Sequence, residues 1–190
     1  MGVASTALHH QRYNNPMTNS VQTRAVTEAM ISLWRGESAA TVSVLAAVKD
    51  ATRDYRPDPK SRSAWELAIH IATSDWWFLD SIERGVFHFD PEQAKQAEAG
   101  FREISEVVAF YREAIPAKLG SLQALSDEQL AEEVDFFGIM KMPRSAWIGF
   151  ANNHSIHHRG QLSTHLRASG SKVPNIYGPS ADAEPAPPAS

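Results

Sequence analysis

The chain contains no cysteine. Disulfides, thiolate metal ligands and a cysteine nucleophile are therefore excluded. It has no dense run of Lys or Arg, and its formal net charge is -4. Nucleic acid is not an expected partner, because that binding rests on clustered cations. No apolar run reaches membrane-spanning length, so no membrane association is expected. The first 20 residues lack the basic start and apolar centre of a signal peptide, and a cytoplasmic location is the expectation. Alternating strand-rich blocks and internal repeats are also missing.

What is present is an ordinary globular balance: 190 residues, 43% hydrophobic and 21% charged, which suits one domain. Residues 1–23 are polar and expected to be a flexible extension, and 179–190 an Ala/Pro-rich disordered tail. Between them, 24–178 carry four long segments with helical periodicity. The first spans about Val26 to Ala51, with Met30, Leu33, Trp34, Ala40, Val44 and Val48 on its stripe. The second opens at Ser61 to Ser63, with Glu66 placed for a capping box, and stops near Gly85. The third runs from about Pro91 to Leu119, on Phe101, Ile104, Val108, Tyr111 and Ile115, with Gly120 as its stop. The fourth runs from Pro143 to Gly170. A short capped helix at Ser126 to Leu130 and an extended segment near Val134 to Met140 precede it. Four amphipathic helices in one domain predict an all-α four-helix bundle.

The most informative segment lies in the fourth helix. His154 and His158 are four residues apart, so a helix brings both rings onto one face, a turn apart. They fall on a stripe of Trp147, Ala151, His154, His158, Gln161 and His165. Three histidines and a glutamine on an inward seam need partners, supplied by a metal or by a hydrogen-bonded network. In the second helix, His70 sits among small and apolar residues and can face them. Three neutral imidazoles would leave positions open for water or substrate.

Asn153-His154-x3-His158-Arg159-Gly160-Gln161-Leu162, then Leu166-Arg167-x2-Gly170 and Val173-Pro174-x2-Tyr177-Gly178, resembles the C-terminal signature of the DinB-like (DinB/YfiT-like) metal-binding bundle superfamily. The resemblance extends to His70 and covers roughly Val26 to Gly178. It implies a four-helix bundle, often dimeric, with one divalent metal (Zn, Ni, Fe or Mn) on His70, His154 and His158. Bond lengths of about 2.0–2.2 Å are expected, with affinity falling below about pH 6 as the rings protonate. The position of His165 is commonly aromatic in such proteins, so an imidazole there departs from the pattern.

Other residues carry open alternatives. His165 can act as base, as a partner behind the ligands, as a fourth ligand, or in packing. Gln161 can support or complete the site. Glu66, one turn before His70, either orients that ring or caps the helix. Glu37 is either a general acid or base at the pocket or a solvated carboxylate, the second being favoured. His157 is expected off the seam, and His88 and His9-His10 are expected to be incidental. Trp76 is expected in the core, with Trp77 a candidate pocket wall. Arg159 and Arg167 either bind an anion or end the helix favourably.

Two functional classes follow. One is a metal-dependent enzyme acting on a small molecule, a transferase using a low-molecular-weight thiol co-substrate, or a hydrolase. The thiol must then come from outside, since the chain has none. The other is a non-catalytic, stress-associated metal-binding bundle. Both are expected as homodimers. A di-iron oxygenase does not fit, because Glu66 to His70 has the wrong spacing for Glu-x-x-His and no second copy exists.

Overall fold

A computed structural model describes residues 16–183. Residues 1–15 and 184–190, with His9, His10 and most of both expected tails, lie outside it. Six helices and one hairpin follow in order: α1 (Pro16–Ala46), a 3-10 turn (Asp50–Thr52), α2 (Ala64–Arg84), α3 (Pro91–Ala99), α4 (Ile104–Gln123), α5 (Asp127–Ala131), β1 (Glu133–Phe136), β2 (Met140–Pro143) and α6 (Arg144–Ala168). Helices α1, α2, α4 and α6 form the four-helix bundle. Each of α1 and α2 packs against both α4 and α6. None of the helices among the described residues is long and apolar enough to cross a membrane.

Helix ends follow local chemistry. Ser63 and Glu66 close the capping box that starts α2, and Gly85 ends it at φ 74°. The guanidinium of Arg144 lies against the Gly85 α-carbon, where a β-carbon would collide with it. That arginine donates to the Glu83 carbonyl at 2.9 Å and pairs with Glu132, tying the end of α2 to the start of α6.

Three expectations change. Helix α1 begins at Pro16, inside the segment expected to be flexible, and ends at Ala46. Its buried stripe is Thr27, Ile31, Trp34, Thr41, Val44 and Leu45, with Leu33 turned outward and Val48 buried just beyond the helix end. The helix expected from Pro91 to Leu119 is two helices. The Glu106 carboxylate accepts from the backbone amides of Arg102 and Glu103 and starts α4 afresh. Helix α4 then continues through Pro116 and Gly120 to Gln123, because Val108, Tyr111, Ile115, Leu119 and Leu122 keep one buried face. The segment after α6 also folds back: Asp182 pairs with Arg167 at 2.6 Å and accepts from the Val173 amide at 2.8 Å.

The hairpin pairs Val134 with Met142 and Phe136 with Met140. It is pinned by the Trp147 indole, which donates to the Val134 carbonyl at 3.0 Å. Phe78, Phe87, Phe136, Trp147 and Phe150 interlock there at centroid distances of 4.8–6.5 Å. This aromatic plug closes the bundle beside His154, whose ring lies 5.1 Å from that of Phe78.

Candidate metal centre

The inward face of α6 keeps Trp147, Ala151 and His165 of the expected stripe, and otherwise runs through Ile148, Asn152, Ser155, Arg159, Leu162 and Leu166. Only the middle of the expected stripe, His154, His158 and Gln161, is displaced, by about one position. Those histidines lie on the shoulder of the helix, half-buried, and Gln161 is exposed. Shoulder positions let the rings meet α2 while staying reachable from outside.

His70 on α2 meets both rings. The Nε2 atoms of His70 and His158 are 3.3 Å apart, and those of His158 and His154 3.1 Å. Three imidazole nitrogens thus converge on one point, and these residues are the one such group of potential metal ligands among the described residues. Nitrogens bonded to one ion at ordinary zinc distances stand about 3.0–3.5 Å from each other, so the spacing fits a divalent ion. The chemistry of the donors fits too. Burial, the Arg62 cation and the two neighbouring rings push His70 down to about 3. Burial, aided by His158, His157 and Arg62, pushes His154 down to about 4. Burial lowers His158 also, against the opposing bond from Gln161. All three rings are neutral at pH 7 and carry lone pairs for a cation.

Gln161 sets the His158 tautomer. Its Oε1 lies 2.8 Å from Nδ1 of His158, and its Nε2 lies 3.1 Å from Nε2 of His157. With the amide nitrogen donating to His157, the oxygen accepts from His158 Nδ1–H, which leaves Nε2 of His158 as a lone pair. Nδ1 of His154 is buried without a hydrogen-bond partner.

The remaining candidates go elsewhere. Glu66 does not orient His70. Its carboxylate holds Arg56 at 2.6 and 2.7 Å and caps the Ser63 amide at 2.8 Å, so the capping alternative is the observed one. Glu37 is neither solvated nor at the triad. It pairs with buried Arg159 at 2.5 Å and accepts from the Tyr177 hydroxyl at 2.9 Å, fastening the C-terminal segment to α1. Arg159 is thus a core cation and Arg167 the partner of Asp182, and neither is a free anion site. The two nitrogens of His165 face backbone carbonyls, Gln161 at 2.8 Å and Arg62 at 3.2 Å, and His165 is not among the residues grouped at the triad. Trp76 and Trp77 both line the cavity next to the triad, as does His88.

The sequence reading missed Asp75. It is wholly buried between α2, α4 and α6, where its Oδ2 accepts from Tyr111 at 2.9 Å and Ser155 at 2.6 Å. Burial pushes its carboxyl up to about 7, opposed by those two hydroxyls and by Arg159. Burial and the adjacent Asp75 also push the Tyr111 phenol up. One signal was there: Asp75 falls on the Ala68, Ala72, Leu79, Ile82 stripe, the one charged residue on it.

The model of the DinB family matches residues 17–187. The Bacillus subtilis (strain 168) protein YjoA is 35% identical over 119 residues, which is 61% of this chain and 73% of that protein. YrdA of the same organism is 41% identical over 54 residues, 28% of this chain and 32% of that protein. A crystal structure of the DinB-like protein YjoA superposes with a TM-score of 0.61 at 25% identity, over 79% of this chain and 98% of that one. A DinB-like protein from Bacillus cereus ATCC 10987 superposes with a TM-score of 0.65 at 26% identity, over 79% and 97%.

Proposed function

This chain belongs to the DinB family, and on that footing we propose that it is a divalent-metal-dependent enzyme whose ion rests on His70, His154 and His158. The observation that carries this is the convergence of three neutral imidazole nitrogens at the wall of a cavity, two of which, on His70 and His154, line it. A bound divalent ion supplies Lewis acidity, favouring thiolate over thiol and offsetting negative charge that develops on a substrate atom. The chain's own part is to hold three lone pairs in place, with Gln161 fixing one tautomer, and to exclude water with the Phe78 and Trp77 walls. We assign the chemistry to transfer of a low-molecular-weight thiol, as the family resemblance suggests; that thiol must be external, since the chain has no cysteine. Hydrolysis is the companion reaction the same site supports.

The competing reading is a non-catalytic metal-binding dimer. It needs a closed site, usually of four protein ligands. Against it, His165 and Gln161 are both engaged elsewhere. We also propose a homodimer, supported by Val26 and Leu33, which are both 49% exposed on α1. A light-scattering mass of a single 21.0 kDa chain refutes that assembly.

The ligand set is tested by metal analysis of protein purified without a nickel column. One ion per chain is expected, and His158→Ala should lose it while His157→Ala keeps it. Full stoichiometry in His158→Ala with loss in His157→Ala places the ion on the wrong side of α6. Turnover of an electrophile with added thiol, dependent on the ion, separates the enzyme from the non-catalytic reading.

A further inference from the structure

A cavity of about 740 Å³ opens beside the triad, between α2, α3 and the start of α4. That is the size of pockets that enclose a small organic molecule. Aromatic rings and alanines make up its apolar walls, with polar residues at the rim. Trp77 and Phe78 form one side, Phe101 and Phe110 the end, and Ala94 and Ala97 the face of α3. Helix α3 buries no residue of its own. It stands on its Asp90 cap and Pro91 and packs mainly on α2. A helix that adds nothing to the core, yet turns two alanines toward aromatic rings across a cavity, is a wall awaiting an apolar occupant. The aromatic surface also continues outward. Phe89 and Phe137 flank the Trp77 indole at 6.0 and 6.5 Å and are 53% and 50% exposed.

The polar groups at the cavity differ in availability. Asp80 is engaged by Lys118 at 2.6 Å and by Arg84, the other cation on the wall, at 3.5 Å, and Asp90 by the amides of Glu92 and Gln93, while Glu98 is exposed. Arg62 lines the cavity, and among the described residues its side chain has no hydrogen bond or ion pair. Its backbone is fixed by His165, and its charge is felt by all three triad rings. The triad end of an aromatic cavity thus presents a cation that no carboxylate among the described residues holds in a salt bridge, although Glu66 feels its charge.

We propose that this cavity binds the aryl part of an aryl-bearing organic anion, with the anionic group at Arg62 and the flat body between Trp77 and α3. That such a molecule is the substrate rests on the metal-site reading above; that it binds does not. Flat apolar bodies stack on aromatic walls, and a guanidinium holds carboxylates through charge-assisted bonds.

The probe is 2-naphthoate, with neutral 2-naphthylmethanol as its partner. Both are titrated into the full chain, with and without zinc, by calorimetry and by the fluorescence of Trp76 and Trp77. Naphthoate should bind saturably and more tightly than the alcohol. Arg62→Gln should weaken naphthoate about fivefold, with or without zinc, and leave the alcohol unchanged. Ala94→Trp should fill the cavity and abolish both without changing the unfolding midpoint, and Ala97→Phe repeats the block if Ala94→Trp unfolds. His158→Ala, tested for metal loss above, should still bind the alcohol, so failure of the metal reading and failure of this one are read separately. The proposal is overturned if neither probe saturates, if the alcohol binds as tightly as naphthoate, if Arg62→Gln changes nothing, or if the blocked variants bind like the parent.

Discussion

Replacing Asp75 by Asn should change how stability depends on pH more than any other single substitution in the core. The carboxyl rises from 3.8 to about 7 on folding, with burial as the largest cause. The folded chain therefore binds the proton more tightly than the unfolded chain. Its stabilising effect is complete below about pH 3.8 and is lost progressively as pH rises to about 7. At about 1.4 kcal/mol per tenfold change in proton affinity, the loss is at most about 4 kcal/mol. The groups facing the carboxyl are Tyr111 from α4 and Ser155 and Arg159 from α6. Their bonds stabilise the ion, but less than burial disfavours it. Asn keeps an acceptor for Tyr111 and Ser155 and removes the titration. The triad histidines act with opposite sign between about pH 3 and 6.5, because their folded values are lowered. They are common to both proteins and cancel in the difference. Urea unfolding of both proteins with chelator, from pH 4 to 8, gives that difference directly. The variant should gain on the parent steadily with pH, by up to about 4 kcal/mol. A difference that is flat within about 0.5 kcal/mol would falsify the claim that this carboxyl is kept neutral by burial.

Two further outcomes are expected. With His70 lowered to about 3 and His154 to about 4, protons compete for those two rings only well below pH 6, and burial lowers His158 in the same direction. Zinc content after dialysis should hold at about pH 5.5, and half-release near 6.5 contradicts it. Gly85→Ala should cost about 2 kcal/mol, through a left-handed φ of 74° and collision with the Arg144 guanidinium. Calorimetry should show the melting temperature falling by about 4–8 °C, and an unchanged value refutes the account.

Local chemistry wrote several features into the sequence. Ser63 with Glu66, Gly85, and the apolar stripe through Val108, Tyr111 and Ile115 act within one or two turns of a helix, and each appears where the pattern puts it. The spacing of His154 and His158 likewise belongs to a single helix. What the stripe could not give is rotation. Polar histidines, counted as if they were apolar, drew the seam through His154 and His158, whereas the core runs one position over, through Ser155 and Arg159. Partners in other elements made that decision: Arg159 finds Glu37 from α1, and Ser155 finds Asp75 from α2. Such pairs join residues far apart in the chain, and periodicity carries no information about them. The same holds for the cavity, whose walls come from α2, α3 and α4, and for Glu66 and His165. A side chain with several partners within reach settles on one only when packing fixes the distances. The sequence by itself determined where the capped helices start, where α2 stops, and which residues own the imidazoles. The tertiary structure decided which faces turn inward, because burial is a property of what packs against a residue.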